Sequence, residues 1–399
     1  MKILITTDWY TPSVNGVVTS VLNLQKQLET AGHEVRVLTL TQNREQNGWF
    51  QHSKREGSVW YLPSVGAGKI YPGARITFGI GRQYLKEMIR WKPDVVHSQC
   101  EFTTFWFARK IAAATHAALI HTYHTVYEDY THYFSPNRTA GKKAAAAFSR
   151  LVLKHTDAVI VPTEKVRRLL EGYGVKKPVY TIPSGIDCRK FEEAGNTEEE
   201  QPRWDLVTVG RLAKEKNIRE ILEWLAAPEG AMYTYLIVGD GPEREHLEKQ
   251  ARELGISDRI CFAGMVKPEE TPAWYQKGRI FVSASKSETQ GLTYLEALAG
   301  GIPAVCRKDP CLEGVIQNGI NGWQYETKED FFRVMEFLKK PEIYQNFSKQ
   351  AKEGVRTFDQ SLFAKKVLDV YEEHRICTIY TEKEENVWKT YPEQKRVCG

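Results

Sequence analysis

The chain has 399 residues, of which 42% are hydrophobic and 26% charged, values typical of a soluble globular protein with about two domains. No apolar run reaches the roughly 18 residues of a membrane-spanning helix, and residues 1–10 have the pattern of a strand rather than of a signal peptide, so we expect a cytoplasmic protein. The seven cysteines include no Cys-x-x-Cys pair, which argues against a disulfide framework or a zinc site.

The net charge of +5 is unevenly distributed along the chain. Residues 1–190 contain 26 Lys and Arg against 14 Asp and Glu, whereas the remainder is acidic. This asymmetry indicates an anionic partner for the first half, either anionic lipid headgroups or nucleic acid. An ordinary solvated surface is the alternative.

Short apolar segments alternate with segments of helical periodicity through the first half of the chain. Strands are predicted at residues 2–6, 34–40, 94–98, 118–122, 158–162 and 179–182. Residues 17–30 have apolar side chains at helical spacing, and Gly32 follows as a C-terminal signal. Strand, helix and strand in succession predict a parallel sheet with covering helices.

An acidic, non-periodic segment at 192–202 interrupts this alternation and is the best linker candidate. Strands then recur at 206–210, 233–238, 260–262, 279–283 and 303–305, and the last 60 residues are predicted to be mainly helical. The pattern predicts an α/β protein with two Rossmann-like, doubly wound domains facing a central cleft. We expect one domain over 1–190, a linker over 191–203 and a second domain over 204–374, with a helix over about 375–399 packing back on the first.

Three loops that follow predicted strands could bind a phosphorylated ligand. In the first, Asn15 and Gly16 permit a close backbone approach, and the helix start at Val17 offers free N–H groups. An ordinary strand-to-helix turn is the alternative.

In the second loop, Arg211 and Lys216 precede a helix, where their positive charge opposes the helix dipole unless an anion such as a diphosphate binds. A solvated basic loop is the alternative.

The third loop carries two carboxylates seven residues apart around Gly291. Backbone N–H groups at the turn can hold phosphate oxygens, and Glu296, one helical turn further on, can reach a ribose diol. Glu288 precedes the turn, where it can meet a sugar hydroxyl. Acidic residues placed for the helix dipole would explain one glutamate but not the whole pattern.

These loops, with the turn at 183–187 and the Gly-Arg-Leu…Glu-Lys-Asn segment, resemble glycosyltransferase family 4 of the GT-B fold over nearly the whole chain. The sequence departs from the family pattern at Ser184, where Asn is commoner, and at Thr289-Gln290, where Ser-Phe is frequent. The resemblance implies that Arg211 and Lys216 neutralise the diphosphate of a nucleotide-sugar donor. The remaining donor contacts that it implies are Asn15, Gly16, Val17, Gly210, Met265, Val266, Glu288, Gly291, Leu292, Thr293 and Glu296.

The string Tyr-His-Thr-x-Tyr-Glu-Asp-Tyr at 123–130 is similar to that of the bacterial diacylglycerol alpha-glucosyltransferases. It implies that His124 faces the donor sugar, although a core histidine or a zinc ligand beside His121 is possible from the residue type alone. The resemblance implies retaining transfer of glucose from UDP-glucose to 1,2-diacylglycerol by front-face substitution, without a cofactor or metal. UDP-galactose or a GDP-sugar as donor, and a soluble sugar or polyprenyl lipid as acceptor, remain alternatives.

Residues 138–154 predict a basic amphipathic helix that docks on an anionic membrane surface. Its cations include Lys142, Lys143, Arg150 and Lys154. We therefore expect a peripheral protein on the inner face of the cell membrane, with the aromatic residues of 49–72 lining an acceptor entrance. Packing on the core is the alternative for both segments. Binding of nucleic acid would explain the basic half but not Glu288 and Glu296.

Overall fold

The computed structural model describes residues 1–42, 50–51, 54–67, 74–77, 82–128, 137–194 and 203–390. The chain forms two compact units, one comprising Met1–Pro183 with Phe363–Gly399 and the other Ser184–Leu362. Each unit is built on its own mainly parallel β-sheet, so the predicted fold class of two Rossmann-like α/β domains is confirmed. The predicted linker is largely outside the described residues.

The first unit alternates strands with helices for most of its length. Its elements in chain order are β1 (Lys2–Thr7), α1 (Gly16–Thr30), β2 (Glu34–Leu40), β3 (Phe50–Gln51), β4 (Lys54–Glu56), β5 (Val59–Leu62), β6 (Ser64–Gly66), β7 (Arg75–Ile76), α2 (Arg82–Trp91), β8 (Val95–Ser98), α3 (Thr103–Thr115), β9 (Ala118–Thr122), α4 (Arg138–Leu153), β10 (Ala158–Val161), α5 (Glu164–Gly172) and β11 (Val179–Thr181).

The main sheet of this unit has the strand order β11-β10-β9-β8-β1-β2-β5-β4, while β3, β6 and β7 form a small separate sheet. All neighbours in the main sheet are parallel except β4 and β5. Because β1 pairs with β2 on one side and β8 on the other, the chain changes direction across the sheet between β1 and β8. The carboxyl ends of β1 and β8 therefore lie side by side, at the edge of the sheet where ligands of such folds bind.

Helix α1 illustrates how the sequence directs the local fold. The Asn15 side chain accepts a hydrogen bond from the N–H of Val18 at 3.0 Å and so caps the helix start. Val21, Leu24 and Leu28 are buried at helical spacing, and each fully buried side chain of this kind contributes roughly 1.5–3 kcal/mol. The apolar stripe thereby fixes α1 against the sheet.

The second unit repeats the α/β pattern. Its elements are α6 (Cys188–Ala194), β12 (Trp204–Val209), α7 (Ile218–Leu225), β13 (Tyr235–Val238), α8 (Arg244–Glu253), β14 (Ile260–Gly264), α9 (Thr271–Gln276), β15 (Gly278–Ser283), α10 (Leu292–Ala299), β16 (Ala304–Arg307), β17 (Gly322–Tyr325), α11 (Lys328–Phe337) and α12 (Pro341–Gly354). The sheet order is β14-β13-β12-β15-β16-β17, and every pair is parallel.

The last helix, α13 (Gln360–Thr390), returns to the first unit. Phe363, Val367, Val370 and Tyr371 are buried in the core of that unit, together with side chains of β1 and α1. Their spacing places them on one helical face. The structure thus brings the chain back to the first unit from Phe363 onward.

Candidate functional site

The second unit places two of the predicted loops side by side. Strand β12 pairs with β13 on one side and β15 on the other, so the loops after β12 and β15 leave the sheet at the point where the strand order reverses. Ligands of open parallel sheets bind at such a point. The pocket there is lined by Thr208, Val209, Gly210, Arg211, Lys216, Ile218, Phe281, Ser283, Ala284, Glu288 and Thr293.

Glycines allow the backbones of neighbouring loops to touch beneath this pocket. A Cβ at Gly239, whose φ is 131°, would lie 1.9 Å from the carbonyl oxygen of Gly210. A Cβ at Gly241 would lie 2.3 Å from the carbonyl oxygen of Leu212. The sequence-based prediction missed Gly239 and Gly241, although the spacing Gly-x-Gly-Pro directly after a strand is a turn signal that could have indicated them.

Both predicted diphosphate-binding cations are paired with carboxylates. Lys216 Nζ donates to Glu288 Oε1 at 2.5 Å, and the guanidinium of Arg211 donates to Glu215 Oε1 at 2.6 Å. Glu288 is only 8% exposed, so this carboxylate needs the neighbouring cation to offset its desolvation. A bound diphosphate would therefore have to compete with these carboxylates for the same donors.

The N-terminus of α10 also reaches this pocket. Gly291 has φ 75° and ψ 73°, and a Cβ there would lie 2.3 Å from the ring of Tyr294. Gly291 is therefore required for the turn. The N-cap residue, Gly291, has no side chain with which to cap the helix, and the first N–H groups, at Leu292 and Thr293, lie at the positive end of the helix dipole. These N–H groups can donate hydrogen bonds to phosphate or hydroxyl oxygens.

Glu296 lies one helical turn beyond this N-terminus and has a partner that the sequence did not indicate. Tyr275 Oη donates to Glu296 Oε2 at 2.8 Å and lies 3.2 Å from the carbonyl oxygen of Thr293. Burial raises the pKa of Glu296, while the Tyr275 hydrogen bond acts in the opposite direction. Tyr275 therefore holds the carboxylate in place and favours its charged form.

The segment predicted to read the nucleotide base follows β14. Gly264 has φ 78°, Met265 is 60% exposed, and Val266 packs against the core. Arg244 lies over Gly264, since a Cβ there would come within 3.0 Å of the guanidinium. Met265 and Val266 are not among the residues that line the pocket of Lys216 and Glu288.

In the first unit, the glycine loop opens α1. The Asn15 side chain is engaged in capping, and Gly16 is exposed at the first helical position, with Val17 half-buried beside it. This places the N–H groups of Gly16 and Val17 at the helix start, as predicted, whereas the Asn15 side-chain oxygen is already used by Val18.

His124 lies just after β9, where it is half-buried and borders a cluster of buried polar side chains. Its Nε2 is 2.7 Å from Gln99 Oε1. Burial, with a contribution from the nearby His121, lowers the pKa of His124 to about 3. His121 itself pairs with Glu101 at 3.3 Å, and Tyr127 Oη donates to the other oxygen of Glu101 at 2.5 Å. The sequence-based prediction missed Gln99 and Glu101.

Helix α4 packs one side on the protein core, while Leu151 on another side stays exposed. Ala145, Ser149 and Val152 are buried at helical spacing. Of the four predicted membrane-facing cations, Lys142 pairs with Glu128 at 2.7 Å and Arg150 donates to the carbonyl of Tyr173 at 2.9 Å. Lys143 and Lys154 are exposed.

The aromatic residues predicted to line an acceptor entrance do not all lie at the surface. Trp60 and Tyr61 belong to β5 and are 1% and 4% exposed, so the prediction is wrong for these two side chains. They pack in the core because β5 is an inner strand between β2 and β4. Trp49, Tyr71 and the side chain of Phe50 lie outside the described residues, as do Asp129, Tyr130 and the side chain of Arg138.

The described part of the chain contains neither a cluster of metal-ligating side chains nor a membrane-spanning helix. Within the described ranges, no three His, Cys, Asp or Glu side chains form a group that could hold a metal ion. In that same part of the chain, no helix has both the length and the apolar character needed to cross a bilayer.

The chain matches two family models that together span most of its length. Residues 14–190 match the model described as Glycosyltransferase Family 4, and residues 190–354 match Glycosyl transferases group 1. The alpha-monoglucosyldiacylglycerol synthase of Streptococcus pneumoniae is 34% identical over 83% of this chain and 76% of its own length. The alpha-monoglucosyldiacylglycerol synthase of Acholeplasma laidlawii is 31% identical over 93% of this chain and 96% of its own length.

Solved structures share the fold at lower identity. Anabaena HepE, in complex with UDP and glucose, has a TM-score of 0.71 at 14% identity and covers 94% of this chain and 100% of that one. Sucrose-phosphate synthase from Thermosynechococcus elongatus has a TM-score of 0.70 at 18% identity and covers 93% of this chain and 98% of that one. The predicted family and fold are therefore confirmed. The chain is a nucleotide-sugar-dependent GT-B glycosyltransferase and belongs to glycosyltransferase family 4, which it shares with the alpha-monoglucosyldiacylglycerol synthases.

Proposed function

We propose that the enzyme transfers glucose from UDP-glucose to 1,2-diacylglycerol and forms an alpha-glucosyl diacylglycerol. The observation that carries this proposal is the similarity to two alpha-monoglucosyldiacylglycerol synthases, at 34% and 31% identity over most of the chain. The charge pattern agrees with a lipid acceptor. The first half of the chain is basic, as expected for a surface near anionic headgroups, whereas the donor loops lie in the acidic second half.

On the donor side, Arg211 and Lys216 neutralise the diphosphate, and the N–H groups at the start of α10 bind its oxygens. This role is supported by the position of both cations, which line the pocket at the strand switch point. Glu296 binds the ribose diol and Glu288 a hydroxyl of the transferred sugar. Met265 and Val266 contact the base through their main chain.

In the first unit, His124 faces the donor sugar, and the helix start at Asn15, Gly16 and Val17 approaches the phosphates. His124 is supported as a neutral hydrogen-bonding group because its pKa is lowered to about 3. A histidine that is protonated at neutral pH would instead need a pKa raised above its ordinary value.

The reaction retains the anomeric configuration through front-face substitution. The bond from sugar C1 to the β-phosphate oxygen breaks, and a bond from C1 to the acceptor hydroxyl oxygen forms on the same face. The hydroxyl proton passes to the departing phosphate oxygen, so that UDP leaves. Arg211 and Lys216 stabilise the charge that develops on the diphosphate, a role that Mg²⁺ fills in other transferases. Activity is expected to persist in excess EDTA.

The acceptor is a lipid, so we also propose that the first unit docks on an anionic membrane as a peripheral protein of the inner face. Three large apolar side chains on or next to α3 and α4 are unusually exposed: Phe102, the residue before α3, at 50%, Trp106 of α3 at 46% and Leu151 of α4 at 49%. Phe102 stacks on Phe148 of α4 at 5.7 Å between ring centroids, so the two helices share one aromatic surface. We call Phe102, Trp106, Phe148 and Leu151 the aromatic surface.

Cations border the aromatic surface. Arg109 lies over the ring of Trp106 at 5.3 Å from its centroid, and Lys143 and Lys154 are exposed on α4. Aromatic side chains beside cations are typical of surfaces that insert into the headgroup region of anionic bilayers. Lipid, rather than nucleic acid, is favoured because the apolar side chains would have no role against a phosphate backbone.

The transfer assay uses labelled UDP-glucose and vesicles that contain diacylglycerol, with and without phosphatidylglycerol. An alpha-linked glucosyl lipid, identified by the coupling constant of its anomeric proton, supports the proposal. UDP-galactose and GDP-mannose are supplied in parallel, and transfer from either in preference to UDP-glucose would assign another donor. Slow hydrolysis of UDP-glucose without a lipid product would retain the donor and overturn the acceptor.

Membrane docking is tested separately by flotation with phosphatidylglycerol or phosphatidylcholine vesicles. Trp106→Ser is expected to weaken flotation with phosphatidylglycerol about tenfold. The matched control is Phe337→Ser, which replaces a 40% exposed aromatic side chain on α11 of the second unit. Equal flotation of the two variants would contradict the assignment of the aromatic surface.

A further inference from the structure

A row of buried side chains leads from His124 to the last helix of the chain. His124 Nε2 lies 2.7 Å from Gln99 Oε1, and Gln99 Nε2 lies 3.1 and 3.2 Å from the two ring nitrogens of His97. His97 in turn contacts Tyr371 Oη of α13 at 2.5 Å and Thr122 Oγ1 at 2.7 Å. Gln99 is 2% exposed and His97 fully buried, so water does not compete for these contacts.

The surroundings of His97 determine which end of the Gln99 amide faces His124. Tyr371 and Thr122 occupy the in-plane directions of the two His97 nitrogens. The Gln99 amide group is nearly equidistant from both nitrogens and therefore lies over the ring. An N–H group is attracted by the electron-rich face of an aromatic ring, whereas a carbonyl oxygen is repelled. The amide nitrogen thus faces His97, and the oxygen faces His124.

A carbonyl oxygen accepts hydrogen bonds and cannot donate one. The His124 nitrogen at 2.7 Å from Gln99 Oε1 must therefore carry the proton. In a neutral ring the proton on Nε2 leaves Nδ1 as an acceptor.

We propose that Gln99 is a positioning residue that holds His124 as the Nε2–H tautomer, so that Nδ1 accepts a hydrogen bond from a substrate hydroxyl. The inference rests on the proposed role of His124 at the donor sugar. Neutral His124 agrees with the burial that lowers its pKa to about 3. The ionisable groups around it are His121, His97 and, through His121, the carboxylate of Glu101.

Gln99→Met removes the acceptor with little change in volume. In this variant the proton of His124 can move to Nδ1, which would then present a donor where an acceptor is needed. We expect kcat to fall about tenfold, the effect of losing roughly 1.4 kcal/mol in the transition state, with little change in KM for diacylglycerol. Gln99→Glu retains the accepting oxygen and is expected to keep the Nε2–H tautomer.

The direct readout is the ¹⁵N spectrum of His124 at pH 7.5, assigned by comparison with His124→Asn. The wild type and Gln99→Glu should show a protonated Nε2, and Gln99→Met a shift of the signals towards protonated Nδ1. Gln25→Met is the matched control, because it removes a buried amide that accepts from Tyr10 Oη at 2.7 Å elsewhere in the unit. It should leave the His124 signals unchanged.

A double-mutant cycle tests whether Gln99 acts through His124. In the His124→Asn background, Gln99→Met should change kcat less than twofold. A protonated Nδ1 in the wild type, or an equal loss of kcat in both backgrounds, would overturn the inference. Absence of glucosyl transfer by the wild type would instead refute the proposed function, because the ¹⁵N signals report the tautomer without turnover.

Discussion

Gln290 and Ser184 are joined by a reciprocal pair of hydrogen bonds, each 2.9 Å long. The N–H of Ser184 donates to Gln290 Oε1, and Gln290 Nε2 donates to the carbonyl of Ser184. Both residues are buried. Ser184 is one of the departures from the family pattern, and Gln290 belongs to the other, at Thr289-Gln290. Both bonds use the backbone of Ser184, so they depend on the Gln290 side chain and not on that of Ser184. The amide ties the turn at 183–187 to the loop that carries Glu288.

Replacing Gln290 with Leu should loosen this loop. It removes the hydrogen bonds that the Gln290 amide makes with a buried N–H and a buried carbonyl, at a cost of about 1–3 kcal/mol for each group. We expect a lower melting temperature and a KM for UDP-glucose raised severalfold, because Glu288 lies two residues away. Differential scanning fluorimetry and donor titration measure these changes.

The control for this variant is Gln276→Leu, which removes one hydrogen bond of 3.0 Å to the carbonyl of Gly300 in the same unit. It should lower the melting temperature without a specific effect on the donor KM. A Gln290→Leu enzyme with an unchanged donor KM would show that the amide pair serves stability alone.

Lys216 is expected to be essential for departure of the diphosphate. Lys216→Met removes a cation that lies 2.5 Å from Glu288 and leaves this buried carboxylate without its charge partner. Loss of one preorganised electrostatic contact typically lowers kcat by about 10²–10³. Steady-state kinetics with UDP-glucose measure this loss.

Lys286→Met offers a matched comparison, since this exposed lysine lies on the loop that carries Glu288 and its ammonium lies 3.9 Å from the carboxylate of Glu220. Its kcat should stay within about twofold of the wild type. A similar loss in both variants would indicate a general effect of positive charge and not a specific contact with the diphosphate.

Tyr275→Phe should weaken donor binding most at acidic pH. The Tyr275 hydroxyl stabilises ionised Glu296 and opposes the upward shift of its pKa that burial causes. Without the hydroxyl this pKa rises further, so a smaller fraction of Glu296 is ionised as pH falls. The KM for UDP-glucose of the variant should therefore rise between pH 7.5 and 5.5 relative to that of the wild type.

Tyr233→Phe breaks another tyrosine–glutamate bond, of 2.9 Å to Glu336, away from the predicted donor contacts. It should leave the pH dependence of the donor KM unchanged. If the donor KM of Tyr275→Phe divided by that of the wild type is the same at pH 5.5 and pH 7.5, the proposed role of Glu296 as an ionised ligand of the ribose is contradicted.

The sequence was sufficient for the fold and for the loops that meet in the second unit. Apolar runs and helical spacing are local properties, so β12, α7 and the glycine at 291 could be predicted from short segments. The ion pair of Lys216 and Glu288 joins residues 72 positions apart. Their proximity could be expected only because both loops follow adjacent strands.

Partners that depend on tertiary packing could not be predicted in this way. Tyr275 and Gln99 have no local pattern that separates a hydrogen-bonding role from ordinary burial. The error at Trp60 and Tyr61 has a related cause: a short strand in an irregular segment has too few residues for its periodicity to distinguish an aromatic surface from an inner strand. The position of β5 between β2 and β4 places these rings in the core.

Asp8 gives a prediction for stability. One of its oxygens accepts from the N–H of Thr104 at 2.9 Å and the hydroxyl of Thr103 at 3.0 Å, whereas Oδ2 is buried and has no hydrogen-bond partner among the described residues. Burial raises the pKa of Asp8 from 3.8 to about 6. The folded state therefore binds a proton more tightly than the unfolded state, and the stability that protonated Asp8 provides is lost as pH rises from about 4 through 6.

Asp8→Asn imitates the protonated carboxyl and keeps the oxygen that receives both hydrogen bonds. Relative to the wild type, its free energy of unfolding should be higher by about 1.5 kcal/mol at pH 5 and by about 3 kcal/mol at pH 8, since each unit of pKa shift corresponds to about 1.4 kcal/mol. Urea unfolding at the two pH values measures the difference. Asp157→Asn, which alters an exposed carboxylate that accepts from the N–H of Leu119 at 2.7 Å, should show no gain that grows with pH. A constant difference between wild type and Asp8→Asn at both pH values would mean that Asp8 is ionised throughout this range in the folded protein.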